Sequence, residues 1–360
     1  MADDRWGSLE LWGWDEHWAS LVAARSPGPG VPARVVAQHR DRWTVQMPSG
    51  GASARLTSST RIEPYPVVGD WVLVEPGPAL SDPCSLIAVL PRRSSVLRGG
   101  AGGVGEQALA ANVDDIWITH ALDTPLSERR IERYLALAWE SGARPEIILT
   151  KADLAEDAGQ AAAELQRIAF GATVRTVSAE DGPSVVSLRE TLRSGATVAL
   201  LGPSGTGKST LINALADADL ATTGAVREGD RKGRHTTTHR ELFRVPGGAL
   251  VIDTPGLREL RVLELDAGLA QAFPDIDELA ASCRFRDCTH ETEPDCAVLE
   301  AAADGRLDAD RLESFRKLRA EAAYQATRTD AQARKRAVAE HKTAMKTLKH
   351  HMKLRDPNRE

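Results

Sequence analysis

The stretch "GPSGTGKST" at residues 202–210 constrains the fold more than any other part of the chain. It matches the GxxxxGK[ST] pattern, with the apolar run "TVALL" before it and an amphipathic helical pattern after it. Glycines let the backbone N–H groups of such a loop point at a phosphate, and the helix start adds partial positive charge. The sequence therefore predicts a strand, a phosphate-binding loop and a helix within an α/β domain that binds a nucleoside triphosphate.

The stretch "TKAD" at residues 150–153 is the candidate reader of the base. Asp153 can accept two hydrogen bonds from guanine, and the aliphatic stem of Lys151 can lie over the ring. Both residues follow the predicted strand "PEIILT", at the strand end where open α/β sheets bind ligands. The backbone amides of Ser178 and Ala179, after the next predicted strand, are expected to meet the guanine O6. A helix cap at Asp153 is the alternative interpretation of "TKAD" alone.

A further apolar run, "GGALVIDTPGL", ends in the motif "DTPG". Asp253 is predicted to hold Mg²⁺ through water, and the Gly256 amide is predicted to sense the γ-phosphate. The preceding stretch "GRHTTTH" offers three threonines as the switch ligand to Mg²⁺, of which we favour Thr237. Leu257 stands where many GTPases have a water-orienting glutamine, so His235 is the candidate catalytic residue. Packing, or binding of an external phosphate, is the alternative role for His235.

These motifs give three candidate sets around one nucleotide. The phosphate set is Gly202, Pro203, Ser204, Gly205, Thr206, Gly207, Lys208, Ser209, Thr210 and Gly256. The guanine set is Thr150, Lys151, Asp153, Ser178 and Ala179, and the Mg²⁺ set is Ser209, Thr237 and Asp253. Lys208 is expected to reach the β- and γ-phosphates.

The order of the motifs is reversed relative to an ordinary GTPase, in which the phosphate loop precedes the base reader. Exchanging the two halves of such a domain produces the order seen here. Each strand keeps its neighbours in space, so the geometry of the site survives the exchange. We therefore expect a circularly permuted GTPase domain with a mostly parallel sheet and helices on both faces.

Short alternating runs separated by Gly, Pro, Asp and Ser predict a small OB-type β-barrel before this domain. The expected units are an N-terminal extension (1–30), the barrel (31–97), a glycine-rich linker (98–112) and the GTPase domain (113–265). A zinc-binding module with helices (266–330) and a basic tail (331–360) complete the chain.

Three of the four cysteines lie within "CRFRDCTHETEPDC". Cys283, Cys288, His290 and Cys296 make a closed set of three thiolates and one imidazole, which suits one structural Zn²⁺. Cys84 lies apart from them and is expected to pack in the barrel.

Charge and hydropathy exclude some classes of protein. No apolar run approaches the roughly 18 residues of a membrane helix, and the acidic N-terminus is unlike a secretory signal. We therefore expect a cytoplasmic protein with no membrane partner. The formal net charge is −6, yet residues 334–359 carry nine Lys and Arg against two acids. That asymmetry indicates a local contact with phosphate backbone.

Together with "VVGDWV", "ANVDD" and "CRFRDCTH", these motifs resemble the bacterial ribosome small-subunit-dependent GTPase A (RsgA) family over nearly the whole chain. The resemblance implies an OB domain, a permuted GTPase domain and a zinc module. It also implies GTP hydrolysis to GDP, with Mg²⁺, stimulated by the small ribosomal subunit and its rRNA during late maturation. Thr150 departs from the usual Asn of this family, and Asp295 departs from the expected Gly.

Other functions stay open on the sequence alone. A phosphate-loop ATPase or kinase is the runner-up, in which "TKAD" is incidental. A GTPase switch on another RNA or partner, or a membrane-associated regulatory GTPase, is a further alternative. We expect a monomer.

Overall fold

A computed structural model of the protein describes residues 4–25, 30–39, 41–57, 62–79, 82–99, 106–220, 240–253 and 265–329. Within these ranges a helical N-terminal segment precedes a β-barrel, an α/β unit and a group of C-terminal helices. None of the described helices combines the length and the apolar composition that crossing a membrane requires.

The barrel consists of five short strands. They are β1 (Val31–His39), β2 (Arg42–Met47), β3 (Gly50–Arg55), β4 (Trp71–Glu75) and β5 (Cys84–Val89). The strand order is β1-β2-β3-β5-β4, and pairing of β4 with β1 closes the barrel. Alternate side chains of β2, such as Trp43 and Val45, are buried inside the barrel. Closure encloses these apolar side chains within the barrel.

The α/β unit holds six more strands of the same sheet. They are β8 (Asp115–Ala121), β9 (Arg144–Thr150), β10 (Thr173–Thr176), β11 (Thr197–Leu201), β12 (Arg240–Arg244) and β13 (Leu250–Asp253). Their order is β10-β9-β8-β11-β13-β12, and β12 alone among these six runs antiparallel. Every residue of β8 and β11 is buried, as expected for central strands covered on both faces.

The helices pack apolar stripes against this sheet and against each other. They are α1 (Glu16–Ala24), α2 (Glu128–Glu140), α3 (Ala158–Gln166), α4 (Gly182–Glu190), α5 (Lys208–Ala216), α6 (Asp266–Ala272), α7 (Pro274–Ala280), α8 (Ala297–Ala303) and α9 (Ala309–Thr329). In α2, Ile131, Leu135 and Ala138 recur at helical spacing and are all buried.

The segment predicted as a linker, 98–112, is partly β-structure. Strands β6 (Ser95–Gly99) and β7 (Glu106–Ala111) pair antiparallel, and residues 100–105 between them lie outside the described residues. Val96 and Leu109 are buried in the same core as Ile116 of β8. The residues on both sides of the glycines thus form strands, because their apolar side chains pack on the α/β unit.

The barrel and the α/β unit share one continuous sheet. Strand β1 of the barrel pairs antiparallel with β12, with Ala37 opposite Glu241 and Gln38 opposite Arg240. Strand β12, the last strand of the α/β unit on this side, therefore pairs with the chain's own barrel. Its outer backbone groups form hydrogen bonds there and are not left as an open sheet edge.

Arg34 of β1 lies at the seam of three units and is only 2% exposed. Its guanidinium donates to the carbonyl of Trp12 in the N-terminal segment at 3.1 Å. It also donates to the Asn112 carbonyl at 3.2 Å and to Thr197 Oγ1 at 3.1 Å. Burial lowers the pKa of Arg34 to about 10, against the opposing effect of Asp114. The side chain stays a cation at neutral pH and holds the three units together through polar contacts.

Asp70 is fully buried beside this seam. Its carboxylate accepts two hydrogen bonds from Arg92, at 2.8 and 2.7 Å, and one from the Val67 amide at 2.8 Å. Removing the negative charge of Asp70 leaves the Arg92 guanidinium, which is only 12% exposed, without a counter-ion.

Asp70→Asn is therefore expected to lower the free energy of unfolding by about 3 kcal/mol, measured by urea denaturation. The matched control is Asp310→Asn, because Asp310 pairs with Arg129 but is 88% exposed. That substitution is expected to change stability by less than about 0.5 kcal/mol. Equal effects of the two substitutions would contradict the role given to the buried pair.

Candidate functional site

The loop at residues 202–207 connects β11 to α5 at the carboxyl end of the sheet. Gly205 and Gly207 have φ values of +84° and +75°, a region that favours glycine. A Cβ on Gly202 would lie 2.3 Å from Thr119 Oγ1, so only glycine fits there. The loop then delivers Lys208 and Ser209 into the first turn of α5. This is the geometry of a phosphate-binding loop ahead of a helix N-terminus.

The Lys208 ammonium bends back over its own loop. Its Nζ donates to the Gly202 carbonyl at 2.7 Å and to the Pro203 carbonyl at 2.5 Å. The cation thus lies against the loop, beside two of its carbonyls and the Thr206 hydroxyl. Such an arrangement can bind a chain of phosphates.

The "TKAD" loop leaves the carboxyl end of β9, two strands away from β11. Lys151 has a left-handed φ of +56°, and Asp153 lies in the 3-10 turn Ala152–Leu154 that follows. Lys151 Nζ forms an ion pair with Asp123 Oδ2 at 2.6 Å. The Ala152 amide donates to the Val177 carbonyl at 3.2 Å, which places the loop beside the turn that carries Ala179.

The two predicted half-sites share one cavity of about 260 Å³. Its lining includes Thr150, Lys151, Asp153, Ala179, Gly207 and Thr210. Thr150 Oγ1 also donates to the carbonyl of Thr206 at 2.8 Å, so the base loop and the phosphate loop are in direct contact. The structure thereby brings together groups that lie 56 residues apart in the chain.

Ser178 is placed differently from its partner in the predicted pair. It is buried, its amide lies 3.2 Å from Ser184 Oγ, and its own hydroxyl accepts from the Glu180 amide at 3.3 Å. Ser178 is not among the residues that line the cavity, whereas Ala179 is. The Ala179 side of this turn is the one that faces the predicted base site.

Asp253 ends β13, which runs parallel to β11 with Ile252 opposite Ala199. It therefore reaches the same edge of the sheet at which the phosphate loop begins. Ser209 is half-buried in the first turn of α5. The other predicted residues of this edge, His235, Thr237 and Gly256, lie outside the described residues.

The C-terminal helices carry a second cluster, formed by Cys283, Cys288, His290 and Cys296. Their ligand atoms all lie within 4.8 Å of one another. The Cys283 and Cys296 sulfurs are 3.8 Å apart, and His290 Nδ1 lies 3.6 and 3.5 Å from them. Sulfur ligands at about 2.3 Å from a tetrahedral ion lie roughly 3.8 Å apart, so the four side chains fit a four-coordinate metal.

The surroundings of the cluster favour metal binding. Burial lowers the pKa of His290, which keeps the imidazole in the neutral form that binds metals. Asp295 stands where the family resemblance leads us to expect glycine. It has a left-handed φ of +57°, and its carboxylate forms an ion pair with Arg284 at 2.6 Å. Aspartate tolerates this conformation, so the turn before Cys296 forms without glycine.

Three residues that hold the loops and helices of these sites in place lie outside the sequence motifs. Thr119 lies two residues before the end of the buried strand β8 and contacts the phosphate loop, and Asp123 lies two residues after that strand and contacts the base loop. Arg311 joins α9 to Glu132 of α2 at 2.9 Å and to Asp275 of α7 at 2.6 Å. A polar residue at the end of a buried parallel strand is a usable signal for the first two. An arginine in an amphipathic helix gives no such signal.

Comparison with known proteins agrees with this geometry. The sequence profile of the RsgA GTPase family matches residues 89–263. A relative from Opitutus terrae, named small ribosomal subunit biogenesis GTPase RsgA, is 45% identical over 338 residues, covering 90% of this chain and 92% of that protein. The protein of the same name from Streptomyces coelicolor is 44% identical and covers 93% and 92%.

Two solved structures are similar in fold. YjeQ from Thermotoga maritima has a TM-score of 0.60 and 27% identity, covering 81% of this chain and 98% of that one. YloQ, described as a circularly permuted GTPase, has a TM-score of 0.59 and 27% identity, covering 81% and 95%. The predicted fold class is thus confirmed: an OB-type barrel, a circularly permuted GTPase domain and a C-terminal helical module with the cysteine–histidine cluster. The chain belongs to the RsgA family of GTP-hydrolysing enzymes.

Proposed function

We propose that this GTPase binds the small ribosomal subunit and acts in its late maturation, hydrolysing GTP to GDP and phosphate at a rate that the subunit stimulates. The names of relatives with more than 40% identity support this partner. The observation that carries the GTP assignment is the single cavity lined by both Asp153 and Gly207, from the base loop and the phosphate loop.

The site residues divide by the chemistry that each can perform. Asp153 accepts hydrogen bonds from the guanine ring, Lys151 covers its face, and the Ala179 turn meets its O6. The amides of residues 202–207 and the Lys208 ammonium hold the phosphates. Bound Mg²⁺ supplies charge neutralisation on the β- and γ-phosphates, and Ser209, Asp253 and Thr237 are the residues proposed to hold it.

The attacking water needs an orienting group, and Leu257 cannot form the hydrogen bond that a glutamine would. We assign this role to His235, whose imidazole can accept a proton near neutral pH. Gly256 is the proposed sensor of the γ-phosphate. These assignments stay predictions from the sequence.

Zn²⁺ is the metal proposed for the cysteine–histidine cluster, with a structural role. Four protein ligands complete a tetrahedral shell, so no position is left for a substrate. The cluster lies next to α8 and α9, and Arg319 of α9 donates to the Thr289 carbonyl inside it at 3.3 Å. Metal binding would therefore stabilise the whole helical module.

The domain boundaries, the location and the oligomeric state are part of the proposal. We place the barrel at 31–97, the GTPase domain at 113–265 and the zinc module at 266–330, in a cytoplasmic monomer without a membrane partner. The barrel groove and the basic residues of 334–359 are the proposed contacts with rRNA.

Asp153→Asn is expected to raise the Kd for GTP by at least about 100-fold, because an amide N–H then faces the donors of guanine. Binding of xanthosine triphosphate, which presents an acceptor at that position, should improve in the same variant. Asp157→Asn is the control: Asp157 caps α3 by accepting from the Gln160 amide at 2.8 Å, away from the cavity. Normal GTP binding by Asp153→Asn would contradict the guanine assignment.

Purified protein is expected to contain about one Zn²⁺ per chain by elemental analysis. Cys288→Ser or a strong chelator should remove it and lower the melting temperature by at least about 5 °C. Metal retention should weaken as the pH falls, because protons compete with the metal for the thiolate and imidazole ligands. Cys84→Ser, in the barrel, should keep its zinc. Chelator-insensitive melting would refute a structural metal.

The GTP turnover number is expected to rise at least about tenfold when purified small subunits are added, and not with large subunits. His235→Ala should abolish the gain in kcat while leaving the affinity for GDP unchanged. An unchanged rate with small subunits would leave a GTPase whose proposed partner is wrong.

A further inference from the structure

Three buried threonines meet between the base loop and the phosphate loop. Thr119 lies near the end of β8, Thr150 ends β9, and Thr206 lies in the phosphate loop. Each is no more than 5% exposed. Thr119 Oγ1 is 2.9 Å from Thr206 Oγ1, and Thr150 Oγ1 is 2.8 Å from the Thr206 carbonyl. Thr206 is thus held from two neighbouring strands.

The hydroxyl of Thr150 can form only one of its two possible donor bonds at a time. It has one proton, and it faces the Thr206 carbonyl at 2.8 Å and the His120 carbonyl at 3.2 Å. An asparagine at this position would offer two N–H donors, enough for both carbonyls. Thr150 therefore joins the end of β9 to the phosphate loop and to β8 by one donated hydrogen bond, whereas asparagine could donate one to each.

The hydroxyl of Thr119 forms a further hydrogen bond to Thr206. Thr206 Oγ1 lies 3.0 Å from the Pro203 carbonyl and Thr119 Oγ1 lies 3.2 Å from the Leu201 carbonyl, so either hydroxyl can donate to the other. Lys208 Nζ also approaches Thr206 Oγ1, at 3.4 Å, so this hydroxyl borders the phosphate-binding ammonium. The close approach of Thr119 is possible because Gly202 has no Cβ.

We propose that Thr119 is a positioning residue for the phosphate loop, and that its hydroxyl compensates for threonine in place of asparagine at position 150. The inference rests on the proposed nucleotide site and deepens it. Thr119 acts on the loop that holds the phosphates, so it affects GDP and GTP alike. Selectivity for guanine over other bases depends on Asp153 and not on Thr119.

The test is a double-mutant cycle on the full-length chain, with a fluorescent GDP analogue as the probe. Thr119→Val keeps the shape of the side chain and removes one hydroxyl. In the wild-type background it should raise the Kd for GDP about five- to tenfold. In a Thr150→Asn background the same change should cost less than about twofold, because the amide can bond to the Thr206 and His120 carbonyls at once and holds Thr206 without the Thr119 hydroxyl.

Two controls separate positioning from packing. Thr119→Ser keeps the hydroxyl and loses a methyl group, so it should bind GDP as the wild type does. Thr191→Val removes a hydroxyl that donates to the Leu188 carbonyl at 2.7 Å in α4, and should leave the Kd unchanged. The melting temperature of nucleotide-free Thr119→Val should stay within about 2 °C of the wild type.

An unchanged Kd for Thr119→Val, or an equal loss in the wild-type and Thr150→Asn backgrounds, would overturn the inference. Should Thr119→Val fail to fold, Thr119→Ala removes the same hydroxyl from the same side of the bond, and the same rescue by Thr150→Asn is required. Failure of the GTPase assignment is seen separately: Asp153→Asn then binds GTP normally. Loss of GTP binding in Asp153→Asn with no effect at Thr119 overturns this inference alone.

Discussion

The parallel pairing of β8, β9, β11 and β13 is the constraint on which the site depends. Hydrogen bonds between these strands bring their carboxyl ends to one edge of the sheet, whatever their order in the chain. The base loop leaves β9 and the phosphate loop leaves β11, with β8 between them. The contact between Thr150 and Thr206 is the direct result. A permuted chain can therefore close the same nucleotide pocket as an unpermuted one.

The two flanking modules attach next to the predicted switch segments. The barrel pairs with β12, which begins directly after the stretch that holds Thr237. Helix α6 begins shortly after the "DTPG" motif and rests on α2, where Glu140 Oε2 accepts from the Gly268 amide at 2.8 Å. Arg311 then fixes α9 to α2 through Glu132, between the rings of Phe170 and Phe273. A change in either switch segment has a short covalent path to the barrel or to the C-terminal helices.

Much of this arrangement could be predicted from the sequence because it depends on local patterns. Period-two runs identify the barrel strands, the glycine spacing identifies the phosphate loop, and the cysteine spacing identifies the metal cluster. Long-range packing escaped prediction. Arg34 reads as a surface residue of a strand, yet it binds Trp12, Asn112 and Thr197, which are distant in the chain. The sequence did not predict the β6–β7 pair, because the glycines between the strands indicate a linker even though apolar residues lie on both sides of them.

The central claim is that the base loop and the phosphate loop close on one guanine nucleotide. Its most direct test is a crystal structure of the protein with GDP and Mg²⁺ bound. We expect the Asp153 carboxylate within hydrogen-bonding distance of the guanine N1 and N2 atoms, and Lys208 Nζ beside the β-phosphate, on the same molecule. A nucleotide bound at the phosphate loop with its base away from Asp153 would contradict the account.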